Sequence, residues 1–259
     1  AEHWGVRVSG ATAVPALDLY QVADPAERLA RTTAYLEKLE AHVGGLAQFH
    51  EEHHAKGGNA SVHYAYDEKN CIANATDIML DQMMCSVPAQ QILADAGGGS
   101  TEARAERLLA SFDAMDQMME LFYQHKGLTN SFEKNTPAAV VKANSLPSQH
   151  LNIRYARMFA GAFMYAAGNH IGIEWGSVPG LAQGAPYVLD GDGARVSGSL
   201  FGWGIGHEIG HNINQSQCAV AEVTNNYFAQ LASTKETNAS ARFKYADVYD
   251  RVTSGDEGR

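Results

Sequence analysis

No run of basic side chains occurs anywhere in the chain. Acidic residues outnumber basic ones 29 to 19, and the net charge is −10. Nucleic acids and anionic membranes recruit Lys/Arg patches, so this balance argues against both as partners. Long apolar runs are also missing. The longest, Met158 to Gly168, falls well short of the about 20 residues a membrane helix takes, so no transmembrane segment is expected. Cysteine is scarce, with three in the chain. Cys71 and Cys85 either pair, which suits a secreted protein, or remain buried thiols. Cys218 lies between candidate metal ligands, but one stray cysteine does not make a Cys-type zinc site. There is no internal repeat and no low-complexity tract. There is no initiator Met and no signal peptide; the chain opens Ala1-Glu2-His3-Trp4, as a mature or excised domain does. What is present is ordinary apolar content and moderate charge over 259 residues, the composition of a globular protein with a real core.

The most informative stretch is Gly202 to His211, which contains His207-Glu208-x-x-His211. Residues four apart on a helix share a face, about 5–6 Å between Cβ atoms. His207 and His211 can therefore hold one metal ion, and Glu208 sits one step round the same turn, in reach of a water on that metal. Glycines at 202, 204, 206 and 210 are poor helix formers; they suggest close approach by a strand or by substrate. A catalytic zinc site needs a third protein ligand and an open position. The pattern with a third histidine would put Gly at 214 and His at 217, where this chain has Asn214 and Gln217. The remaining option is a carboxylate on a following helix, read over Ala219 to Ser233. Glu222 is the only acidic residue between His211 and Glu236. Zinc held by His207, His211 and Glu222 would activate water, with Glu208 as general base. An oxyanion stabiliser is needed as well; Tyr227, His170 and Tyr187 are candidates among which the sequence does not choose. Asn225 and Asn226 read either as groups holding a ligand by hydrogen bond or as plain helix surface.

The rest of the chain reads as α+β, mostly helical, with a small mixed sheet beside the metal-binding helix. Residues 1–22 suggest N-terminal strands, Trp4 to Val8 and Val14 to Val22, paired as a hairpin. Residues 23–150 read as mainly helical. Asp24-Pro25-Ala26-Glu27 starts a first long helix, weakened at its end by Gly44-Gly45 and followed by the cluster His50-Glu51-Glu52-His53-His54, a solvated helix end. Ser61 to Tyr66 suggests a strand and Ala75 to Cys85 a buried Met-rich helix. Ser100 to His125 is a second long helix closed by Gly127, and Asn130 to Ser148 a loop with one helical turn. Residues 151–175 hold sheet strands bordering a cleft: Leu151 to Phe159, Ala162 to Ala166 and Ile171 to Trp175. Val178 to Gly198 reads as a long surface loop, residues 200–233 as the metal-binding helices, and Ser240 to Val252 as one more helix. The whole reads as one domain, 1–259.

At Trp203-Gly-x-x-x-His207-Glu-x-Gly-His211-Asn-x-x-Gln215, followed by Ala-Glu222-Val-Thr-Asn-Asn, the chain resembles the enhancin-like zinc peptidases, whose bacterial members attack mucins and other O-glycoproteins. Weaker similarity extends to Val6 to Gly10 with Pro15, and to Ala162 to Ile173, which looks like the segment bordering the family's cleft. The resemblance implies a zincin-like fold, one Zn2+ on His207, His211 and Glu222, and Glu208 as catalytic base. It also implies a mucin-like glycoprotein substrate cut beside a glycosylated Ser or Thr, and a secreted or cell-surface bacterial location. The family's catalytic region continues beyond the Glu ligand as a helical subdomain, whereas here only Tyr227 to Arg259 follows, so the expectation is either an unusually short domain or one truncated at the C-terminus. The alternatives are a zinc peptidase of broader specificity, acting on unglycosylated protein, and a non-catalytic glycoprotein-binding module.

Overall fold

Asp24 and Pro25 open the first helix as their capping pattern predicts, with Asp24 Oδ1 accepting from Ala26 N at 3.1 Å. The computed structural model describes residues 13–54, 66–69, 71–158, 161–193, 195–233 and 244–254. In it this helix, α1, spans Pro25–His54. It runs straight through Gly44-Gly45, where the sequence predicts a weakening. Leu46 and His50 beyond the glycines are buried, and tertiary packing of the next turns outweighs the poor propensity. His50 is accordingly no part of a solvated end: its ring meets Tyr66 edge-on at 5.5 Å, while Glu51 and Glu52 are exposed.

The strand expected in Val14 to Val22 is β1 (Ala16–Asp18), and its partner is β2 (Thr76–Met79), parallel to it. The expected strand at Trp4 to Val8, and Ser61 to Ala65 of the next, lie outside the described residues. Ala75 to Cys85 is not a helix. It is an antiparallel hairpin of β2 with β3 (Met83–Val87). Thr76, Ile78, Leu80, Met83, Cys85 and Val87 are buried, and their neighbours face the other way. That is a period of two, with Asp81-Gln82 at the bend; the Met-rich composition conceals it. Cys71, Cys85 and Cys218 are all free thiols.

The sheet continues through β4 (Leu151–Tyr155), β6 (His170–Ile173) and β5 (Met164–Ala167), in the order β1-β2-β3-β4-β6-β5. The three later strands are shorter than the sequence suggests. The sheet has six mixed strands, larger than expected, and β5 is its edge. A short helix the sequence reading passed over, α2 (Ala89–Asp95), precedes α3 (Thr101–His125). Ser100 caps α3 by accepting from Ala103 N at 3.2 Å, and Gly127 follows it at φ +75°. Leu108, Phe112, Met115, Met119 and Phe122 of α3 are buried in one core cluster with Leu36 and Leu39 of α1 and the inward residues of the sheet. Arg28 ties these elements together, reaching Asp113 at 2.6 Å and Asp116 at 3.2 Å. One helical turn or two, α4 (Ala138–Asn144), sits in the expected loop.

Val178 to Gly198 is not simply loop. A 3-10 helix (Trp175–Ala182) leads into the hairpin β7 (Ala185–Leu189) and β8 (Arg195–Ser199). Gly198, at φ +116°, passes so close to β7 that a Cβ would lie 2.4 Å from the Tyr187 Cα. The glycines that suggest a loop therefore permit the pairing. Beyond it lie α5 (Trp203–Ile213), α6 (Thr224–Ser233) and α7 (Tyr245–Ser254), the last overlapping the helix expected at Ser240 to Val252. No helix among the described residues is long and apolar enough to cross a membrane.

Candidate metal centre

On α5 the apolar residues Ile205, Ile209 and Ile213 recur every four residues and are buried. This fixes the rotation of the helix, so His207, Glu208 and His211 fall on the opposite, half-buried side. The three offer ligand atoms that lie within 4.8 Å of one another. Two of the α5 glycines serve neither strand nor substrate. A Cβ on Gly206 would lie 2.9 Å from Ala229 Cα, and one on Gly210 would lie 2.5 Å from the Asn225 carbonyl oxygen. Their absent side chains let α6 pack against α5 backbone to backbone. Gly204 does face a strand: a Cβ there would meet Met164 of β5 at 3.0 Å.

That close packing brings Glu222 to the histidines. Glu222 is not on a helix, as the sequence suggests. It sits just before α6 at φ +62°, in a turn where Val223 N and Thr224 N donate to Val220 O and the Thr224 hydroxyl accepts from Val220 N. The Thr224 hydroxyl bonds back to Val220 and closes this turn, and α6 starts at Thr224, two residues after Glu222. A left-handed backbone is uncommon outside glycine, and here it turns the carboxylate inward. Glu222 Oε2 lies 3.2 Å from His207 Nε2, and Oε1 lies 3.1 Å from His211 Nε2.

Asn226 decides which nitrogens are free. Its Nδ2 donates to the Glu222 carbonyl at 2.6 Å, so its Oδ1 faces His207 Nδ1, 2.7 Å away. An amide oxygen only accepts, so Nδ1 is a donor, and in the neutral ring the lone pair of His207 is on Nε2. A carboxylate oxygen stands 3.2 Å from that nitrogen; with the neutral ring the two electron-rich atoms repel, and a cation between them would turn the arrangement attractive. The spacing fits: ligands at about 2.0–2.1 Å around a tetrahedral zinc stand about 3.3 Å apart. Burial pushes the Glu208 carboxyl above its ordinary range; the two imidazoles oppose the shift and Glu222 adds to it.

A cleft of about 660 Å³ lies over these residues, walled by Gly161 to Met164, Trp203 and Gly204, and floored by His207, Glu208, Glu222 and Asn226. Phe163, Met164 and Trp203 make its wall apolar; the edge position of β5 puts Met164, and Phe163 just before it, there. The three candidate oxyanion donors do not line it. Tyr227 OH is bonded to His125 Nδ1 at 2.6 Å, His170 Nε2 lies 3.4 Å from Tyr165 OH, and the Tyr187 backbone is held by Gln117. A larger cleft, about 1060 Å³, lies elsewhere, around Arg28 and the middle of α3. Its carboxylates are committed, Asp113 and Asp116 to Arg28 and Asp81 to Gln21 N, so the smaller cleft holds the reactive set.

No protein-family model matches the chain, and no curated protein does. Solved structures do. The M60 catalytic domain of Clostridium perfringens ZmpC, solved in complex with the sialyl T antigen, is similar over 88% of this chain and 34% of its own, at TM-score 0.55 and 20% identity. The chain has the fold of the M60 catalytic domains. The ZmpB metallopeptidase of the same organism gives TM-score 0.59 at 19% identity, over 94% of this chain and 37% of that one. The catalytic module of ZmpA gives 0.57 at 16%, over 96% and 37%. The chain thus spans about a third of the length of these M60 structures, and the resemblance to enhancin-like peptidases holds at the level of fold.

Proposed function

We propose that this protein is a zincin-like, zinc-dependent endopeptidase acting on O-glycosylated, mucin-like proteins outside the cell or at its surface. The observation that carries the metal reading is the Glu222 carboxylate set 3.2 Å from His207 Nε2 and 3.1 Å from His211 Nε2. In this reading His207 and His211 hold the ion through Nε2 and Glu222 through its carboxylate. Zinc, when bound, supplies a Lewis acid that polarises the scissile carbonyl and acidifies water.

The chain's own residues do the rest. Asn226 keeps the proton of His207 on Nδ1 and so keeps Nε2 available. Glu208 lines the cleft floor beside the pair, half-buried, and its raised affinity for a proton suits a general base that accepts a proton from water and returns it to the leaving amine. The apolar wall of Phe163, Met164 and Trp203 lies beside the edge strand, where an extended peptide can lie. No residue of the cleft by itself identifies a glycan. The glycoprotein part of the reading is supported by the M60 fold and by the glycan bound to one structure that shares it.

The test is cleavage of an O-glycoprotein before and after enzymatic glycan removal, with wild type, wild type plus chelator, and Glu208→Gln. Cleavage of the glycosylated form alone, abolished by chelator and by Glu208→Gln while that variant keeps its zinc, is the expected result. Equal cleavage of both forms would support a peptidase of broader specificity, and cleavage by Glu208→Gln would remove the base from its role.

A further inference from the structure

Glu222 reaches the histidines from a stretch that no core packing holds. Residues 215–223, between α5 and α6, are all exposed, the apolar Val220 and Val223 among them. The Glu222 side chain is itself 68% exposed, so its backbone must aim it. That backbone is left-handed, at φ +62°, a conformation that a residue other than glycine keeps when its surroundings impose it. Main-chain bonds from Val223 N and Thr224 N to Val220 O close the turn, but exposed bonds of this kind exchange with water at a modest net gain. The Thr224 side chain adds a clamp. Its hydroxyl oxygen accepts from Val220 N and its proton goes to Val220 O, each at 3.1 Å. Glu222 stands inside the loop so closed, with its own carbonyl held by Asn226. Thr224 is half-buried where the turn meets α6, and its hydroxyl bonds Val220 and neither imidazole. The neighbouring Asn225 does bond one: its amide donates to His211 Nε2 at 3.0 Å, in a place an ion would claim.

We propose that Thr224 is a positioning residue for the third metal ligand: its hydroxyl, by gripping both backbone groups of Val220, holds Glu222 left-handed and aims the carboxylate at Nε2 of His207 and His211. This rests on the metal reading above. A valine in its place keeps the shape and the main-chain bonds but releases the Val220 backbone to water. The fold survives, because the turn is exposed, while the carboxylate loses its direction. Loss of a group that orients a ligand typically weakens metal binding about 10–100-fold.

The experiment is a zinc titration against a competing chelator on five proteins, with circular dichroism to establish that each is folded: wild type, Glu222→Ala, Thr224→Val, Thr224→Ser and the double variant Glu222→Ala/Thr224→Val. Thr224→Val is expected to bind zinc about 10–100-fold more weakly, and Thr224→Ser, which keeps the hydroxyl, as wild type does. Because Thr224 acts through Glu222, the double variant should bind no more weakly than Glu222→Ala alone. With cobalt in place of zinc, the visible absorption bands of Thr224→Val should move toward those of Glu222→Ala, and those of Thr224→Ser stay in place. Should Thr224→Val not fold, Thr224→Ala is read in its place. A folded variant without the hydroxyl that keeps wild-type affinity and spectrum overturns the proposal. So does a serine variant as weak as valine, or a double variant that loses as much again as Thr224→Val loses alone. If wild type takes up no zinc, the metal reading itself fails. If wild type binds and Glu222→Ala weakens binding while Thr224→Val does not, only the role of Thr224 fails.

Discussion

Replacing Gly210 by alanine adds one methyl group where the two helices of the candidate metal centre touch. Its Cβ would lie 2.5 Å from the Asn225 carbonyl oxygen, 2.7 Å from its Cα and 2.9 Å from its Cβ. Non-bonded heavy atoms prefer about 3.5–4.0 Å, so α6 must retreat by roughly 1 Å. Two of the three obstructing atoms are backbone, and no rotamer change relieves them. Overpacking costs about 1–3 kcal/mol, and a rigid obstacle places this site at the upper end. Alanine's better helix propensity returns about 1 kcal/mol. The net loss is about 2 kcal/mol, a fall in Tm of about 4–8 °C for a domain of this size. The retreat also carries Asn225 and Glu222 away from the histidines, so zinc affinity falls with it. The same substitution at Gly44 is the control. Gly44 is exposed within α1, with nothing within 4 Å of its Cβ position, and propensity alone should stabilise that variant by up to about 1 kcal/mol. Thermal melts and zinc titrations of both variants decide the matter. A Gly210→Ala protein that melts at or above the wild-type temperature and keeps its zinc affinity would refute the packing argument.

Two further outcomes are expected. Asn226→Ala removes both the partner of His207 Nδ1 and the bond to the Glu222 carbonyl; zinc affinity should fall about 10–100-fold with little change in circular dichroism, and an unchanged affinity would show that the tautomer is fixed some other way. Asp116, between Arg28 and the β2–β3 bend, has its carboxyl pushed up to about 6 by burial and by Asp81, against the pull of Arg28. Its folded value lies above the unfolded one, so the native state holds the extra proton between about pH 4 and 6. This group's contribution to stability is therefore greatest below that window and declines as pH rises through it, by an amount on the order of 2–3 kcal/mol. Asp116→Asn should gain on wild type as melts move from pH 4 to pH 7; a difference that does not change with pH would contradict the assignment.

The histidine pair of the candidate centre was legible because its signal is a spacing, and a spacing of four on a helix translates directly into a shared face. Glu222 was legible by elimination, but its conformation was not. Nothing in Ala-Val-Ala-Glu-Val-Thr states that the chain turns left-handed at the glutamate, because that turn is held by hydrogen bonds between Val220 and Thr224 rather than by a propensity. The capping pattern at Asp24 located the start of the first long helix for the same local reason, and the glycine at 127 located the end of the second. What escaped was tertiary. The hairpin of β2 and β3 is apolar on both sides of its bend, and Met-rich composition hides a period of two. The hairpin of β7 and β8 is rich in glycine because its strands pass close together, and composition alone cannot tell that from a loop. The glycines of α5 were visible, yet only the position of α6 shows that Gly206 and Gly210 serve a second helix.

The central claim is that His207, His211 and Glu222 form one catalytic-type metal site, and the structure of the zinc-loaded protein tests it most directly, with anomalous scattering at the zinc edge to locate the ion. The account predicts one zinc per chain in the cleft, bonded to Nε2 of both histidines and to the Glu222 carboxylate, with a fourth position open to solvent and Glu208 beside it but not bonded. Zinc bound elsewhere, no zinc, or an ion closed in by four protein ligands would contradict it.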